Sequence, residues 1–229
     1  MPASFLTAQW RSLAMLNYTI DPAVLRPRLP RGLELDSWNG AHWISMVGFL
    51  FLDTRLAGVP VPFHRRFEEV NLRFYVRRRT DGGWRRGVVF IKEIVPRIAV
   101  AALARLAYGE NYVALPMRHS IGNGQVGYEW RFAGKWNRLA LTAAGEPLLP
   151  DPGSGEEFIT EHYWGYSEAR EYRVEHPRWR IWRASASSLE CDAARLYGAE
   201  FATALGPSPR SAYLAEGSAV TVFRAARFH

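Results

Sequence analysis

The sequence predicts an α+β protein dominated by strands, folded as an antiparallel cone or barrel with a few short helices. Apolar and polar residues alternate with the two-residue period of a strand through much of the chain, and turn residues join strand-like segments as hairpins. Helical patterns are few and do not alternate regularly with strands, which argues against a parallel sheet. The 229 residues contain no linker-like stretch, so we expect one domain, 1–229.

Strand-like segments make up most of the first half of the chain. They combine β-branched and aromatic residues and are bounded by turn residues. After the first of them, Asp21 can cap a helix and Pro22 suits its first position, so a short helix is expected there. The predicted strands are 9–20, 41–56, 67–76 and the two arms of a hairpin, 76–95, that turns at 81–83.

The second half contains the clearest helical pattern, "IAVAALARLAY", which Gly109 ends. Glycines and alternating residues also predict a second hairpin. The expected elements are the helix 98–108, the hairpin 125–143 turning near Gly134, a loop over 146–157, a short helix within 156–167, a strand-like stretch 171–190 broken at Pro177, a helix over 192–205 and a final strand, 218–225.

The segment "FEEVNLRFYV", 67–76, has two chemically different sides, because successive side chains of a strand point to opposite faces. An antiparallel sheet with one solvated face would give this alternation without any function. A strand of a closed cone would instead turn the polar side inward, where an acid and a guanidinium need partners. The apolar side is Val70, Leu72, Phe74 and Val76, and the polar side is Glu69, Asn71, Arg73 and Tyr75.

Composition limits the class of protein. The chain is 48% hydrophobic and 14% aromatic, which is typical of a globular protein. A single cysteine, Cys191, excludes an internal disulfide framework and fits a reducing compartment. The sequence shows neither a long uncharged apolar run nor a signal-peptide pattern, so we expect no membrane span and a cytoplasmic location.

The chain carries a formal charge of +7, almost all of it from arginine. Such arginine usage can reflect genome composition, or it can mark a surface for anions or nucleic acid. Two features would contribute to such a surface, namely the tryptophan-containing segment "RWRIWR" and a set of arginines on the arms of the first hairpin. That set is Arg77, Arg78, Arg79, Arg85 and Arg86. Charge near a hairpin tip is usually solvated, however, and arginine packed on tryptophan is also ordinary on the surface of a β protein.

The sequence predicts neither a bound metal nor a cofactor. "GNGQVG", 122–127, matches the glycine pattern of dinucleotide-binding loops, but strand-like residues follow it where a helix is needed, so it is interpreted as a turn. The six histidines lack the spacing of metal ligands. Cys191 lies in "LECDAA", without the surroundings of a nucleophile.

Four segments, in this order, resemble the YqjF-like bacterial family, a domain of unknown function (2071) that is similar to acetoacetate decarboxylase. The resemblance spans about 9–223 and implies a β-rich cone or barrel around an internal cavity. It also implies that Glu69, Asn71 and Arg73 point into that cavity. The segments are "TIDPAVLRPRLPRGLELDSWNG", "FEEVNLRFYV", "ARLAYGENYVALPMR" and "EHPRWRIW".

The same resemblance implies a departure from decarboxylase chemistry. Acetoacetate decarboxylases form a Schiff base on a lysine whose pKa is lowered by a second lysine and an apolar site. Here "LPMR" puts a methionine and Arg118 at the two lysine positions, and neither can form an imine. Lys92 is the only possible replacement in a strand, and alternation predicts that it shares a side with Val88 and Phe90. The decarboxylase glutamate has a counterpart in Glu69.

Three functional hypotheses follow. The first is a small-molecule site in the cavity, where Glu69, Asn71, Arg73 and Arg118 bind a small polar or carboxylate-bearing ligand. The second is a lyase, isomerase or hydratase that acts on a keto or enol acid with Glu69 as acid/base. The third, binding of nucleic acid or another polyanion through the hairpin arginines, is disfavoured. A homo-oligomer is left open.

Overall fold

The computed structural model describes residues 4–62, 64–168, 170–206 and 208–228. They form fifteen strands and five α-helices. The strands are β1 (Ser4–Ile20), β2 (Glu34–Leu35), β3 (His42–Leu56), β4 (Val59–Pro60), β5 (Phe67–Thr80), β6 (Gly83–Val95), β7 (Tyr112–Ala114), β8 (Met117–Gly122), β9 (Gln125–Phe132), β10 (Lys135–Leu148), β11 (Trp164–Tyr166), β12 (Arg170–Glu175), β13 (Ile181–Glu190), β14 (Ser211–Phe223) and β15 (Ala226–Arg227). The helices are α1 (Pro22–Leu25), α2 (Ile98–Tyr108), α3 (Gly155–Thr160), α4 (Ala193–Leu196) and α5 (Ala199–Ala204), and a 3-10 helix, Arg26–Arg28, follows α1.

Seven of the strands close into a ring. In the order β12, β11, β6, β5, β3, β1, β14, each strand pairs with the next, and β12 also pairs with β14. These pairs are antiparallel except for β11, which runs parallel to β6. This closed arrangement confirms the predicted strand-dominated α+β fold with a few short helices.

A second layer covers the outside of the ring. The strands β13, β10, β9 and β8 continue the sheet from β14, and the main hydrophobic core lies between them and the ring. Leu16, Met46 and Leu72 enter this core from the ring, where they meet Tyr128 and Trp130 of β9. Burial of these side chains stabilises the contact between the layers through the hydrophobic effect.

Local sequence signals account for several element ends. The Asp21 carboxylate accepts a hydrogen bond from the Ala23 amide at 2.8 Å and caps α1, as predicted. Gly109 ends α2 with a φ of +71°, which glycine adopts readily. Asn123 and Gly124 both have positive φ in the tight turn between β8 and β9, so "GNGQVG" is a hairpin turn.

Some boundaries differ from the sequence-based expectation. The helix expected within 156–167 stops at Thr160, because residues 164–166 pair with β6 and form β11. The strand β8 was not predicted, and β10 continues to Leu148 into the expected loop. No helix of the described residues is long and apolar enough to cross a membrane.

A β-bulge in β6 changes the side on which its last residues lie. In the pairing of β5 with β6, Leu72 is opposite Lys92, whereas the next residue, Arg73, is opposite Phe90. Ile91 is therefore an extra residue without an opposite partner. Such an insertion shifts the alternation of side chains by one position.

The bulge turns Lys92 away from the interior of the ring. Val88 and Phe90 face that interior before the bulge, and Glu93 faces it afterwards. The Lys92 ammonium instead donates a hydrogen bond to the carbonyl of Leu196 in α4. The prediction that Lys92 shares a side with Val88 and Phe90 is wrong, because strict alternation does not continue through a bulge.

We expect Gly48→Ala to destabilise the protein. A Cβ at this position in β3 would lie 2.5 Å from Cδ2 of the buried Tyr128 ring, so the two layers would have to move apart. Overpacking of this kind costs about 1–3 kcal/mol of unfolding free energy, which urea denaturation measures. Gly122→Ala is the matched control, because a Cβ there meets nothing within 4 Å. Equal stability of the two variants would contradict the proposed close packing.

Candidate functional site

The ring encloses a cavity of about 120 Å³. An engineered protein cavity of about 150 Å³ binds benzene, so this space has the scale of a small organic molecule. Inward-facing side chains of the ring strands form its walls, and one side of α2 covers part of it. Most of the wall is apolar and aromatic, with contributions from Trp10, Phe49, Phe51, Phe67, Phe90 and Trp179.

The polar side of β5 lies on the wall of this cavity. Glu69 and Asn71 are only 3% and 2% exposed, and Arg73 is partly buried beside them. The Asn71 amide donates a hydrogen bond to Glu69 Oε1 at 2.9 Å. The apolar side of the strand faces the core between the layers. The structure thus places these three residues together inside the ring, and their roles in binding or catalysis stay predictions.

Two further glutamates, which the sequence did not single out, join this group. Glu93 reaches the cavity because of the bulge, and Glu110 reaches it from the loop after α2. Their two carboxyl groups are close enough for each to affect the pKa of the other. Tyr172 donates a hydrogen bond to Glu110 at 2.5 Å, and a second tyrosine, Tyr112, donates one to Glu69 at 3.1 Å. We call Glu69, Glu93 and Glu110 the acidic cluster.

Burial makes the acidic cluster hold protons more tightly than free glutamates do. Desolvation raises the pKa of Glu69 to about 7, although the hydrogen bonds from Asn71 and Tyr112 oppose this shift. Burial likewise raises the pKa of Glu110 to about 7. The pKa of Glu93 is raised well above its ordinary value by burial and then by the two neighbouring carboxyls. Groups that titrate near neutral pH are suited to proton transfer.

Arg73 forms no salt bridge with a carboxylate of the described residues, although its charge lowers the pKa of the neighbouring Glu69. Its Nε is buried and has no hydrogen-bond partner among those residues. The guanidinium carbon lies 5.8 Å from the centre of the Tyr75 ring. A partly buried guanidinium with an unpaired donor is unfavourable, so a ligand carboxylate that accepts its hydrogen bonds would stabilise it.

Arg118 does not lie in the cavity. Its side chain is 58% exposed on β8, where it forms a salt bridge with Glu129 and stacks over Trp136 at 4.2 Å. The expectation that Arg118 lines the cavity is wrong, because β8 belongs to the outer layer and not to the ring. Since the sequence does not reveal which strands close the ring, this location could not be read from "LPMR".

Neither lysine of the chain lines the cavity. Lys92 faces the outer layer, and Lys135 is exposed at the start of β10. Among the described residues, no group of three or more His, Cys, Asp or Glu side chains is arranged to hold a metal ion.

The hairpin arginines are mostly neutralised within the protein. Four of the five form salt bridges with carboxylates, and Arg79 lies over the Trp84 ring at 5.2 Å. This pairing reduces the positive charge that a nucleic acid would meet, so it weighs against the third hypothesis. The pairs are Arg77–Glu34, Arg78–Glu171, Arg85–Glu171 and Arg86–Asp36.

Comparison with protein families finds a match over residues 7–219 to DUF2071, which is described as an uncharacterized conserved protein. The uncharacterized protein YqjF of Bacillus subtilis (strain 168) is 28% identical over 186 residues. That alignment covers 77% of this chain and 75% of YqjF.

Solved structures of acetoacetate decarboxylase-like proteins share the fold. The acetoacetate decarboxylase of Legionella pneumophila has a TM-score of 0.75 and 14% identity, covering 100% of this chain and 88% of that one. The enduracididine biosynthesis enzyme MppR, solved in complex with pyruvate, has a TM-score of 0.67 and 14% identity, covering 99% and 91%. At this identity the similarity establishes the fold alone.

The raised pKa of Glu69 predicts that stability falls as the pH rises. A carboxyl with a higher pKa in the folded state stabilises the fold below its ordinary pKa of 4.5, and this contribution is lost as the pH approaches about 7. The unfolding free energy of the wild type should therefore fall across this range. In Glu69→Gln the fall should be smaller by an amount of the order of 1–3 kcal/mol.

Urea denaturation at several pH values measures this difference. Glu146→Gln changes an exposed glutamate of β10 and should keep the wild-type pH profile. An unchanged profile in Glu69→Gln would mean that Glu69 is not held in a desolvated site.

Proposed function

This chain belongs to the DUF2071 family, and on that premise we propose that it binds a small carboxylate-bearing molecule in its cavity without forming an imine. The observation that carries the proposal is Arg73, a guanidinium on the wall of an aromatic cavity whose buried Nε has no hydrogen-bond partner and which forms no salt bridge among the described residues. A ligand carboxylate would supply that charge and accept hydrogen bonds from it. Asn71, next on the same side of β5, has a free carbonyl oxygen that can accept a hydrogen bond from the ligand.

The rest of the cavity wall favours a ligand whose carbon skeleton is apolar. Aromatic side chains dominate the cavity away from β5, and burying apolar ligand surface against them is favourable. MppR, which shares the fold, has been solved with pyruvate, so a cavity of this architecture can hold a small carboxylate.

The lack of a lysine in the cavity supports the proposal that the ligand binds without forming an imine. Imine formation needs an unprotonated amine beside the carbonyl of the substrate. Lys92 lies on the outer side of the ring wall, with its ammonium bonded to Leu196, and Lys135 is exposed. Carbonyl chemistry in this cavity would therefore depend on carboxyl groups instead of an amine.

We expect small organic acids with an apolar body, such as 4-methyl-2-oxopentanoate, to bind and to raise the melting temperature. Arg73→Gln should weaken this binding at least about 30-fold, because the ligand carboxylate loses its charged partner. Isothermal titration calorimetry measures the affinity, and thermal denaturation measures the shift.

Arg118→Gln is the matched control, since it removes an exposed arginine outside the cavity and should leave the affinity unchanged. The proposal fails if Arg118→Gln weakens binding as much as Arg73→Gln does, or if none of the acids binds.

A second candidate function is acid/base catalysis on a keto or enol acid. Glu69 favours it, because its pKa is raised to about 7 by burial and its carboxylate lies on the cavity wall. An ionised Glu69 would take a proton from the carbon next to a ketone, which leaves an enolate and a neutral carboxylic acid. The return of that proton to the enolate oxygen gives the enol and restores the Glu69 carboxylate, which completes a keto–enol isomerisation.

This second function predicts exchange of the C3 hydrogens of 4-methyl-2-oxopentanoate in deuterated water, followed by proton NMR. Glu69→Gln should slow the exchange about 100-fold or more, because an amide cannot act as the base. Glu68→Gln is the control, since Glu68 bonds to His119 outside the cavity. Borohydride added to the mixture should trap no adduct, and an adduct on Lys92 would contradict the exclusion of imine chemistry.

A further inference from the structure

A histidine–aspartate pair lies on the cavity wall apart from the acidic cluster. His162 follows α3, and its ring packs between Tyr75 and Phe158 at centroid distances of 4.8 and 5.0 Å. Its Nε2 is 3.2 Å from Asp36 Oδ2, and the Nε of Arg86 is 2.7 Å from the same oxygen. The His162 side chain is only 1% exposed, so these contacts hold the imidazole in a fixed orientation.

The Asp36 carboxylate determines which nitrogen of His162 carries the hydrogen. Burial would raise the pKa of Asp36, but the hydrogen bonds from His162 and Arg86 outweigh it and leave the pKa below its ordinary value. An ionised carboxylate can only accept hydrogen bonds, so Nε2 is the donor. Burial lowers the pKa of His162 to about 4, and the ring is therefore neutral at pH 7 with a lone pair on Nδ1.

The lone pair on Nδ1 has no partner. Nδ1 is buried and makes no hydrogen bond to any described residue, although His162 lines the cavity. The Asn71 carbonyl oxygen is also buried without a hydrogen-bond partner among the described residues, and Asn71 also lines the cavity. Arg73 and His162 lie near each other because both pack against the Tyr75 ring, at 5.8 Å for the guanidinium carbon and 4.8 Å for the imidazole centroid. The unpaired buried atoms of the cavity wall therefore include the Arg73 donor and these two acceptors, in addition to Trp10 Nε1, Glu93 Oε2 and the Tyr108 hydroxyl.

We propose that the ligand held by Arg73 is a small 2-hydroxy acid, and that Nδ1 of His162 accepts a hydrogen bond from its hydroxyl group. This inference rests on the proposed binding of a carboxylate by Arg73. The hydroxyl of a 2-hydroxy acid is on the carbon next to the carboxylate, so a ligand bound to Arg73 brings this donor close to His162. Asp36 acts through His162 as a positioning residue, because it holds the tautomer with a free Nδ1.

Related acids satisfy this site less well. A 2-keto acid presents an oxygen that only accepts hydrogen bonds, and it would face a second acceptor on Nδ1. An acid without a substituent at this carbon would leave Nδ1 unpaired. A buried acceptor without a donor loses free energy, so sites built for a hydroxyl discriminate against analogues that lack it.

Calorimetric titration of the full chain at pH 7 with three matched acids tests whether a hydroxyl group next to the carboxylate strengthens binding. They are 2-hydroxy-4-methylpentanoate, 4-methyl-2-oxopentanoate and 4-methylpentanoate, which share one carbon skeleton. We expect the hydroxy acid to bind at least about tenfold more tightly than either of the others. In His162→Phe the hydroxy acid should fall to the affinity of 4-methylpentanoate, while 4-methylpentanoate itself should change less than about twofold.

His176→Phe is the control, because His176 also lines the cavity but its Nδ1 contacts the Pro177 carbonyl. It should keep the preference for the hydroxy acid. The comparison of ligands on the wild type stands even where a variant folds poorly. If the three acids bind equally, Nδ1 is satisfied by water and the inference is overturned, while carboxylate binding stands. If none of them binds, the proposed function itself fails.

Discussion

Closure of the ring by the pairing of β12 with β14 is the constraint on which the rest of the structure depends. Because of this closure, one side of each ring strand forms the wall of the cavity and is shielded from bulk solvent. Every polar group on that side must then find a partner or remain unsatisfied at a cost. The aromatic walls, the acidic cluster and the unpaired atoms of Arg73, Asn71 and His162 all have their properties because of this enclosure.

The enclosed groups show a consistent electrostatic pattern. Three neighbouring carboxyls, two of which accept hydrogen bonds from tyrosines, cannot all ionise in a desolvated site, so the acidic cluster retains protons near neutral pH. Arg73 keeps its charge under the same conditions. Asp36 differs from the cluster because Arg86 and His162 bind its carboxylate directly. One cavity therefore combines a proton-holding region, a positive charge and a neutral imidazole.

Comparison with structurally similar proteins shows that the architecture can be shared while the side chains available for chemistry differ. At 14% identity, the Legionella acetoacetate decarboxylase and this chain share the same architecture over the whole of this chain. The decarboxylases rely on an amine, whereas the two lysines here lie outside the cavity. Fold similarity therefore accounts for the ring and its cavity. The chemistry of the side chains that line the cavity must be argued from their own contacts.

The sequence by itself determined the strand content, most hairpins, the cap at Asp21 and the two-sided character of β5, because these depend on neighbours within a few residues. Tertiary structure decided which strands close the ring, and so placed Arg118 outside and Glu110 inside. It also decided the bulge at Ile91, which sends Lys92 outward and Glu93 inward. Pairing between distant strands sets both outcomes, and a two-residue alternation contains no information on where a register shift occurs.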